Sequence, residues 1–293
     1  MNNRKYAVVG GDFRAIEVAN SLVRAGYSVM VYGINSVSAE VFDPNIILCE
    51  TASRALLDSN IIILPLPMTT DNEYINTPLS DRRISIDEVF SYHSGGKVFL
   101  GGKIGEKVKN MAKTYSAYVL DYMERDEMTI QNAVPTAEGA IQIAMEEMPV
   151  TLHNSQCLII GYGRIGKVLS KMLDGIGAHV TCSARKHSDM AYIKSMGYQC
   201  ADTARLSGSL EKFDLIINTV PAKVLEESIL KQVKKSTLII DLASKPGGVD
   251  FETAKELGLN TIWALSLPGK VAPVTAGRII YDTIENMIEE LGV

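Results

Sequence analysis

The sequence predicts an α/β protein built from two doubly wound parallel-sheet domains. Three observations carry that prediction. Short apolar runs alternate with helical patterns along the whole chain; one run opens into Gly161-Tyr162-Gly163-Arg164-Ile165-Gly166; and two long helical patterns begin after Pro135 and after Pro273. A length of 293 residues is enough for two cores. The expected division is residues 1–134 plus 274–293 for an N-terminal, substrate-side domain, and 135–273 for a nucleotide domain that includes the interdomain helix.

In the first half, Tyr6-Ala7-Val8-Val9 reads as a strand, followed by Gly10-Gly11-Asp12 and a helix from about Phe13 to Arg24. Val29–Tyr32, Ile61–Leu64, Val98–Leu100 and Ala117–Leu120 give four more strands. The stretch 65–83 is rich in Pro, Thr and Asp and reads as a long functional loop. Gly-Gly pairs at 95–96 and 101–102 bracket the fourth strand. With these five strands the half looks flavodoxin-like. Its first turn, Gly10-Gly11-Asp12-Phe13, lacks the later glycines of a phosphate fingerprint, so it is expected to be structural or to face substrate.

The second half is Rossmann-like. Cys157-Leu158-Ile159-Ile160 reads as a buried strand and Lys167–Leu173 as a helix, with the glycine motif between them. In that context Gly161 permits the tight turn, Gly163 lets backbone approach a pyrophosphate, and Gly166 lets helix pack on strand. The helix N-terminus then offers N–H groups to phosphate. Further strands are expected at 179–183, 214–218, 237–241 and about 260–263, and a ligand should meet the loops at their carboxyl ends. Those loops are Thr219-Val220-Pro221-Ala222, Leu242–Gly248 and Leu265–Lys270. The expected cofactor contacts are therefore Gly161, Tyr162, Gly163, Arg164, Ile165 and Gly166, with Thr219, Val220, Pro221, Asp241, Leu242, Ala243 and Ser244.

The strand at 179–183 selects the dinucleotide. An NAD site places an acid about 20 residues past the motif, for the ribose hydroxyl. Residues 175–188 contain none; Ser183, Ala184, Arg185 and Lys186 stand there instead. Hydroxyl and guanidinium groups suit a 2′-phosphate, so the expected cofactor is NADP. The alternative is that Arg185 and Lys186 form only a solvated basic turn. The two long helices are expected to cross between the domains and hinge a cleft, the C-terminal one returning to the first domain. Its Ile279, Ile280, Ile284, Met287, Ile288 and Leu291 fall at helical spacing and read as core packing.

Composition excludes several classes. A net charge of −5 without any Lys/Arg-rich block argues against a nucleic-acid surface. No uncharged apolar run approaches a membrane span, and the N-terminal run is too short for a signal peptide. Cys49, Cys157, Cys182 and Cys200 form no CxxC pair and read as reduced thiols of a cytoplasmic protein; no metal site is expected. The four histidines (93, 153, 179, 187) leave none late in the chain to take a proton from a 2-hydroxy acid. Proton-transfer candidates are then Lys245, Lys270, Glu138 and the Glu124-Arg125-Asp126 cluster, each of which also reads as a surface or interdomain ion pair.

Several blocks stand out: Gly10-Gly11-Asp12-Phe13-Arg14, Glu124-Arg125-Asp126, Asn132–Gly139, Asn218-Thr219-Val220-Pro221, Asp241–Phe251 and Leu267–Gly277, of which Pro135–Gly139 and Asp241–Gly248 are far more specific than the glycine motif. On these the chain resembles the family of dipicolinate synthase A subunits of endospore-forming bacteria, over essentially its whole length. Val274 departs from the pattern, which leads one to expect a Lys there. The resemblance implies NADP-dependent oxidation of dihydrodipicolinate in the mother cell, in a complex with the flavoprotein-like B subunit of dipicolinate synthase. Oxidising a dihydropyridine needs a hydride acceptor, a proton acceptor and cations for two carboxylates, but no carbinol base. Arg14 and Arg125 are the first choices for carboxylate clamps, with Lys245 and Lys270 on nucleotide-domain loops and Glu138 as base or hinge ion pair. Another NADP-dependent dehydrogenase of a small carboxylate or imine, and a non-catalytic NADP-sensing subunit, are the alternatives. Oligomeric state stays open, a homo-oligomer included.

Overall fold

Every strand expected from an apolar run is present, and each sheet carries one more strand at an edge. The computed structural model describes residues 4–93, 96–206, 208 and 210–292; Met1–Asn3 of the N-terminal run and Gly95 of the first glycine pair lie outside the described residues. The chain forms two compact units, one of residues 1–132 with 272–293 and one of residues 133–271.

The first unit runs β1 (Lys5–Val9), α1 (Phe13–Arg24), β2 (Ser28–Tyr32), β3 (Ile47–Cys49), α2 (Ala52–Leu56), β4 (Ile61–Ile63), α3 (Ile86–Ser91), β5 (Val98–Gly101), α4 (Glu106–Thr114), β6 (Tyr118–Asp121) and α5 (Asp126–Gln131). The second runs α6 (Ala133–Glu147), β7 (Gln156–Ile160), α7 (Arg164–Ile176), β8 (His179–Ala184), α8 (His187–Ser195), β9 (Gln199–Asp202), β10 (Leu215–Asn218), α9 (Glu227–Leu230), β11 (Leu238–Asp241), α10 (Phe251–Glu256), β12 (Asn260–Trp263) and α11 (Leu267–Val271). The chain then returns to the first unit as α12 (Pro273–Leu291).

Both sheets are parallel and six-stranded, ordered β3-β2-β1-β4-β5-β6 and β9-β8-β7-β10-β11-β12. Counted within each unit, both follow the dinucleotide-fold order 3-2-1-4-5-6. The flavodoxin-like reading of the first half is corrected by β3, which adds a strand beside β2. Its three residues, two of them exposed, give no periodic signal.

Helices cover both faces of each sheet, which is why the strands read as unbroken apolar runs. In the first unit, Tyr6, Val8, Val31 and Ile63 pack under Ile16, Leu22, Ile280 and Ile284 from α1 and α12. The other face buries Ala7, Val9, Ile62 and Phe99 against residues of α2 to α4. Helix α12 lies close against α1: a Cβ on Gly277 would come within 2.7 Å of the Arg14 carbonyl oxygen. Glu285 of α12 accepts from the Tyr6 and Tyr27 hydroxyls, and Arg278 pairs with the buried Glu17. Helix α6 starts two residues before Pro135; a proline in the first turn removes only an N–H that has no intrahelical partner. Among the described residues, no helix is long and apolar enough to cross a membrane.

Candidate functional site

In a doubly wound sheet, ligands meet the carboxyl ends of the strands where the order reverses. In the second unit that point lies between β7 and β10. There Gly161 has φ +97°, and a Cβ on it would lie 2.5 Å from Thr219 Oγ1. A Cβ on Gly166 would lie 2.1 Å from the Gly161 carbonyl oxygen, so the α7 backbone sits against the turn. Gly163 faces open space: nothing lies within 4 Å of where its Cβ would be. It is the N-cap of α7. With no side-chain cap and no acid in its first turn, this helix end turns its positive dipole end toward an anion. A nicotinamide dinucleotide fits this cradle.

The first unit puts the same turn to another use. Gly10 has φ +67° and α1 begins at Phe13, in the register that Gly161 and Arg164 take in the second unit. Asp12 then stands where Gly163 stands, and its carboxylate accepts from the Arg14 N–H of α1. Ala15 replaces Gly166. The 65–83 loop covers the turn, with Gly11 N–H donating to the Asn76 carbonyl and Thr77 2.8 Å from a Cβ on Gly10. This anion site is filled by the chain itself.

Around the cradle, Thr219 hydroxyl donates to the Ile160 carbonyl, which binds the β10 loop to the end of β7. Thr219 and Val220 are half-buried; Pro221 and Ser244 are exposed, and Leu242 and Ala243 are buried. Arg164 is exposed at the start of α7 and Ile165 is half-buried. The Tyr162 side chain packs into the core, where burial pushes its phenol above the usual range, and so turns away from the open face. Arg185 and Lys186 are exposed past the end of β8, with Ala184 buried. Ser183 is placed otherwise than expected: it is wholly buried and accepts from the Thr203 hydroxyl at 2.9 Å, so it offers nothing to a 2′-phosphate.

Asp241 also departs from the expectation of a cofactor contact. It is 0% exposed at the end of β11, with Asn218, also 0% exposed, beside it in register at the end of β10. Asp241 Oδ1 accepts from Asn218 Nδ2 (2.8 Å) and Ala243 N–H (3.0 Å), and Oδ2 accepts from Gly248 N–H (2.7 Å). Asn218 donates to the Val220 carbonyl and accepts from the Val220 N–H. Two loops are thus hung on one buried pair. Sequence reasoning missed Asn218; the signal was a polar residue closing each of two neighbouring buried strands.

The substrate-side candidates divide between the units. Arg14 is buried in the first, its Nε and Nη2 on Asp12 and Nη2 also on the Leu66 carbonyl; Nη1 takes no part in these bonds. It lines a small recess with Gly11, Pro65, Leu66 and Tyr122. Arg125 does not keep a free fork: Nη1 and Nη2 bind Glu290 and Nε binds Glu127, which corrects its reading as a carboxylate clamp. This pairing holds the Glu290 carboxyl below its usual range. In the second unit Glu138, Lys245 and Lys270 are exposed. Lys270 lies in α11 rather than a loop, and α11 packs on α6 through Gly139, whose Cβ would be 3.1 Å from Leu267. Among the described residues, no three His, Cys, Asp or Glu side chains group to hold a metal.

Two parallel sheets in dinucleotide-fold order, with one open glycine cradle, define a two-unit protein of the nicotinamide-dependent dehydrogenase type. Residues 130–246 match the NAD-binding domain of D-isomer-specific 2-hydroxyacid dehydrogenases, and residues 5–123 the N-terminal domain of the dipicolinate synthase A subunit. The chain is 30% identical to the dipicolinate synthase A subunit of Bacillus subtilis over 98% of its own length and 96% of that protein's. It superposes on the crystal structure of dipicolinate synthase from Bacillus subtilis with a TM-score of 0.89 at 29% identity, covering 100% of this chain and 98% of that one. For the Bacillus halodurans protein the TM-score is 0.90 at 28% identity, with 98% of each chain covered. The chain belongs to the family of dipicolinate synthase A subunits.

Proposed function

We propose that the chain oxidises dihydrodipicolinate to dipicolinate with NADP⁺, as the catalytic subunit of a two-subunit synthase in the mother cell of a sporulating bacterium. What carries this reading is membership of the A-subunit family over the whole chain, joined to an open cradle in the second unit. A bound nicotinamide dinucleotide would supply the acceptor for the ring hydride. The residues do the rest. Gly163 and the α7 N-terminus would hold the pyrophosphate, and Arg185 and Lys186 the 2′-phosphate. Arg14, fixed by Asp12, is the first unit's candidate for a substrate carboxylate, and Lys245 and Lys270 are the second unit's candidates. Aromatisation drives loss of the hydride, and the ring proton leaves to a base, for which Glu138 is the candidate.

The test is direct. The purified protein is mixed with NADP⁺ and dihydrodipicolinate, and NADPH and dipicolinate are followed together, with and without a B subunit. Stoichiometric formation of both supports the reading. Tight NADP binding with no turnover in either mixture overturns the catalytic assignment.

A further inference from the structure

The buried Asn218–Asp241 pair is closed to solvent, yet it holds the backbone of the two loops that follow β10 and β11, on one side of the cradle. Asp241 grips the 243–248 loop at both ends, through the Ala243 and Gly248 N–H groups, with Lys245 between them. Gly247 and Gly248 make that grip possible. A Cβ on Gly248 would lie 2.2 Å from Asn218 Nδ2, and one on Gly247 3.0 Å from Asp241 Oδ2. Asn218 in turn fixes Val220 through both its N–H and its carbonyl. The indole of Trp263 donates to the Ala243 carbonyl and bounds the same loop from β12.

A dinucleotide fold consists of two mononucleotide halves, the first of which carries the glycine turn and the ribose-reading strand. Here that first half is β7-β8-β9. The loops hung on Asn218 and Asp241 belong to β10 and β11, the other half. We infer that Asn218 and Asp241 are positioning residues: they set the backbone that presents the nicotinamide end of the dinucleotide and carries Lys245, and they touch neither cofactor nor substrate. The inference rests on the dinucleotide reading of the second unit. It gives the pair a specific signature, because the adenosine end depends on other residues.

The experiment compares the affinities of the whole protein for NADP and for 2′,5′-ADP, which lacks the nicotinamide end, alongside kcat and Tm. Asn218→Ser is the first variant, since it removes the amide while leaving the Asp241 carboxylate on its two backbone N–H groups. Asp241→Asn, which sets an amide NH2 against one of those two N–H groups, is the second. The expected result is 2′,5′-ADP affinity within twofold of the unmutated protein, NADP affinity lower by about tenfold, and kcat lower by about a hundredfold, the scale of a misplaced reacting group. An unchanged ratio of the two affinities with normal kcat overturns the inference. So does a parallel loss of both ligands with a fallen Tm, which marks a purely structural pair. If Asp241→Asn does not fold, Asn218→Ser decides alone. Should the unmutated protein bind neither ligand, the dinucleotide reading itself fails and takes the inference with it; binding of both without turnover leaves the affinity comparison to decide.

Discussion

The two units share a strand order, a positive-φ glycine after the first strand and a helix that starts three residues later, yet only one presents a place for phosphate. The difference lies at two positions and in the 65–83 loop that covers the first unit's turn. In the second unit Gly163 and Gly166 leave the helix N-terminus open and the turn tight; in the first, Asp12 supplies a carboxylate from the chain itself and Ala15 adds a methyl group. A shared fold therefore sets where a ligand could sit, and a few side chains decide whether it does.

The largest effect expected from breaking this contrast is at Gly166. Gly166→Val would drive side-chain atoms into the Gly161 carbonyl, so dinucleotide binding should vanish from a fluorescence titration and Tm should fall, overpacking typically costing about 1–3 kcal/mol. Normal NADP affinity in this variant would mean that the turn is not the cradle. Next comes Arg185→Ala. Losing a charge-assisted contact costs about 1.5–3 kcal/mol, or roughly one to two orders of magnitude in NADP affinity, with NAD unchanged. Equal affinities of the unmutated protein for the two dinucleotides would remove the NADP assignment.

In the first unit the expected effects are smaller. Asp12→Ala removes a helix cap, worth about 1 kcal/mol, and frees Arg14, so Tm should drop modestly and substrate KM rise while NADP affinity holds. A fall in NADP affinity would show that the first unit handles phosphate after all. The smallest effect belongs to Arg125→Ala. Its carboxylate partners lie at the surface, where ion pairs contribute little, so kcat, KM and NADP affinity should stay near normal and Tm barely move. A large rise in substrate KM would reinstate Arg125 as a clamp.

Thiol reactivity gives an independent handle on the contrast. Burial pushes Cys157 up to about 11 and Cys182 up to about 12, whereas Cys49 is half-buried at the end of β3. Iodoacetamide at neutral pH should therefore modify Cys49 well before Cys157 or Cys182, the two buried thiols of the second sheet, whose labelling should follow the opening of that unit. Early modification of Cys157 or Cys182 would contradict a closed second sheet.

What could be read from the chain follows the physics of each signal. Ten strands announced themselves because both faces of each sheet are covered, and burial on both faces writes an unbroken apolar run. The two edge strands did not: Ile47–Cys49 is three residues long, and Gln199–Asp202 is half polar. Missing β3 turned a 3-2-1-4-5-6 sheet into an apparent flavodoxin order. Gly161, Gly163 and Gly166 were legible because their spacing states a backbone requirement. Ser183, Asp241 and Arg125 were misread because residue type does not reveal direction or partners. A serine at a strand end looks the same in sequence whether it faces outward or toward Thr203.

The return of α12 to the first unit bears on how the polypeptide is made. Residues 133–271 are contiguous, so the second unit can form as soon as it has left the ribosome. The first unit cannot close in that order. Until α12 emerges, Ile16 and Leu22 lack Ile280 and Ile284, and the Tyr6 and Tyr27 hydroxyls lack Glu285. Although it is translated first, the N-terminal unit is completed only when α12 arrives, and its apolar α1 surface lacks that cover until then.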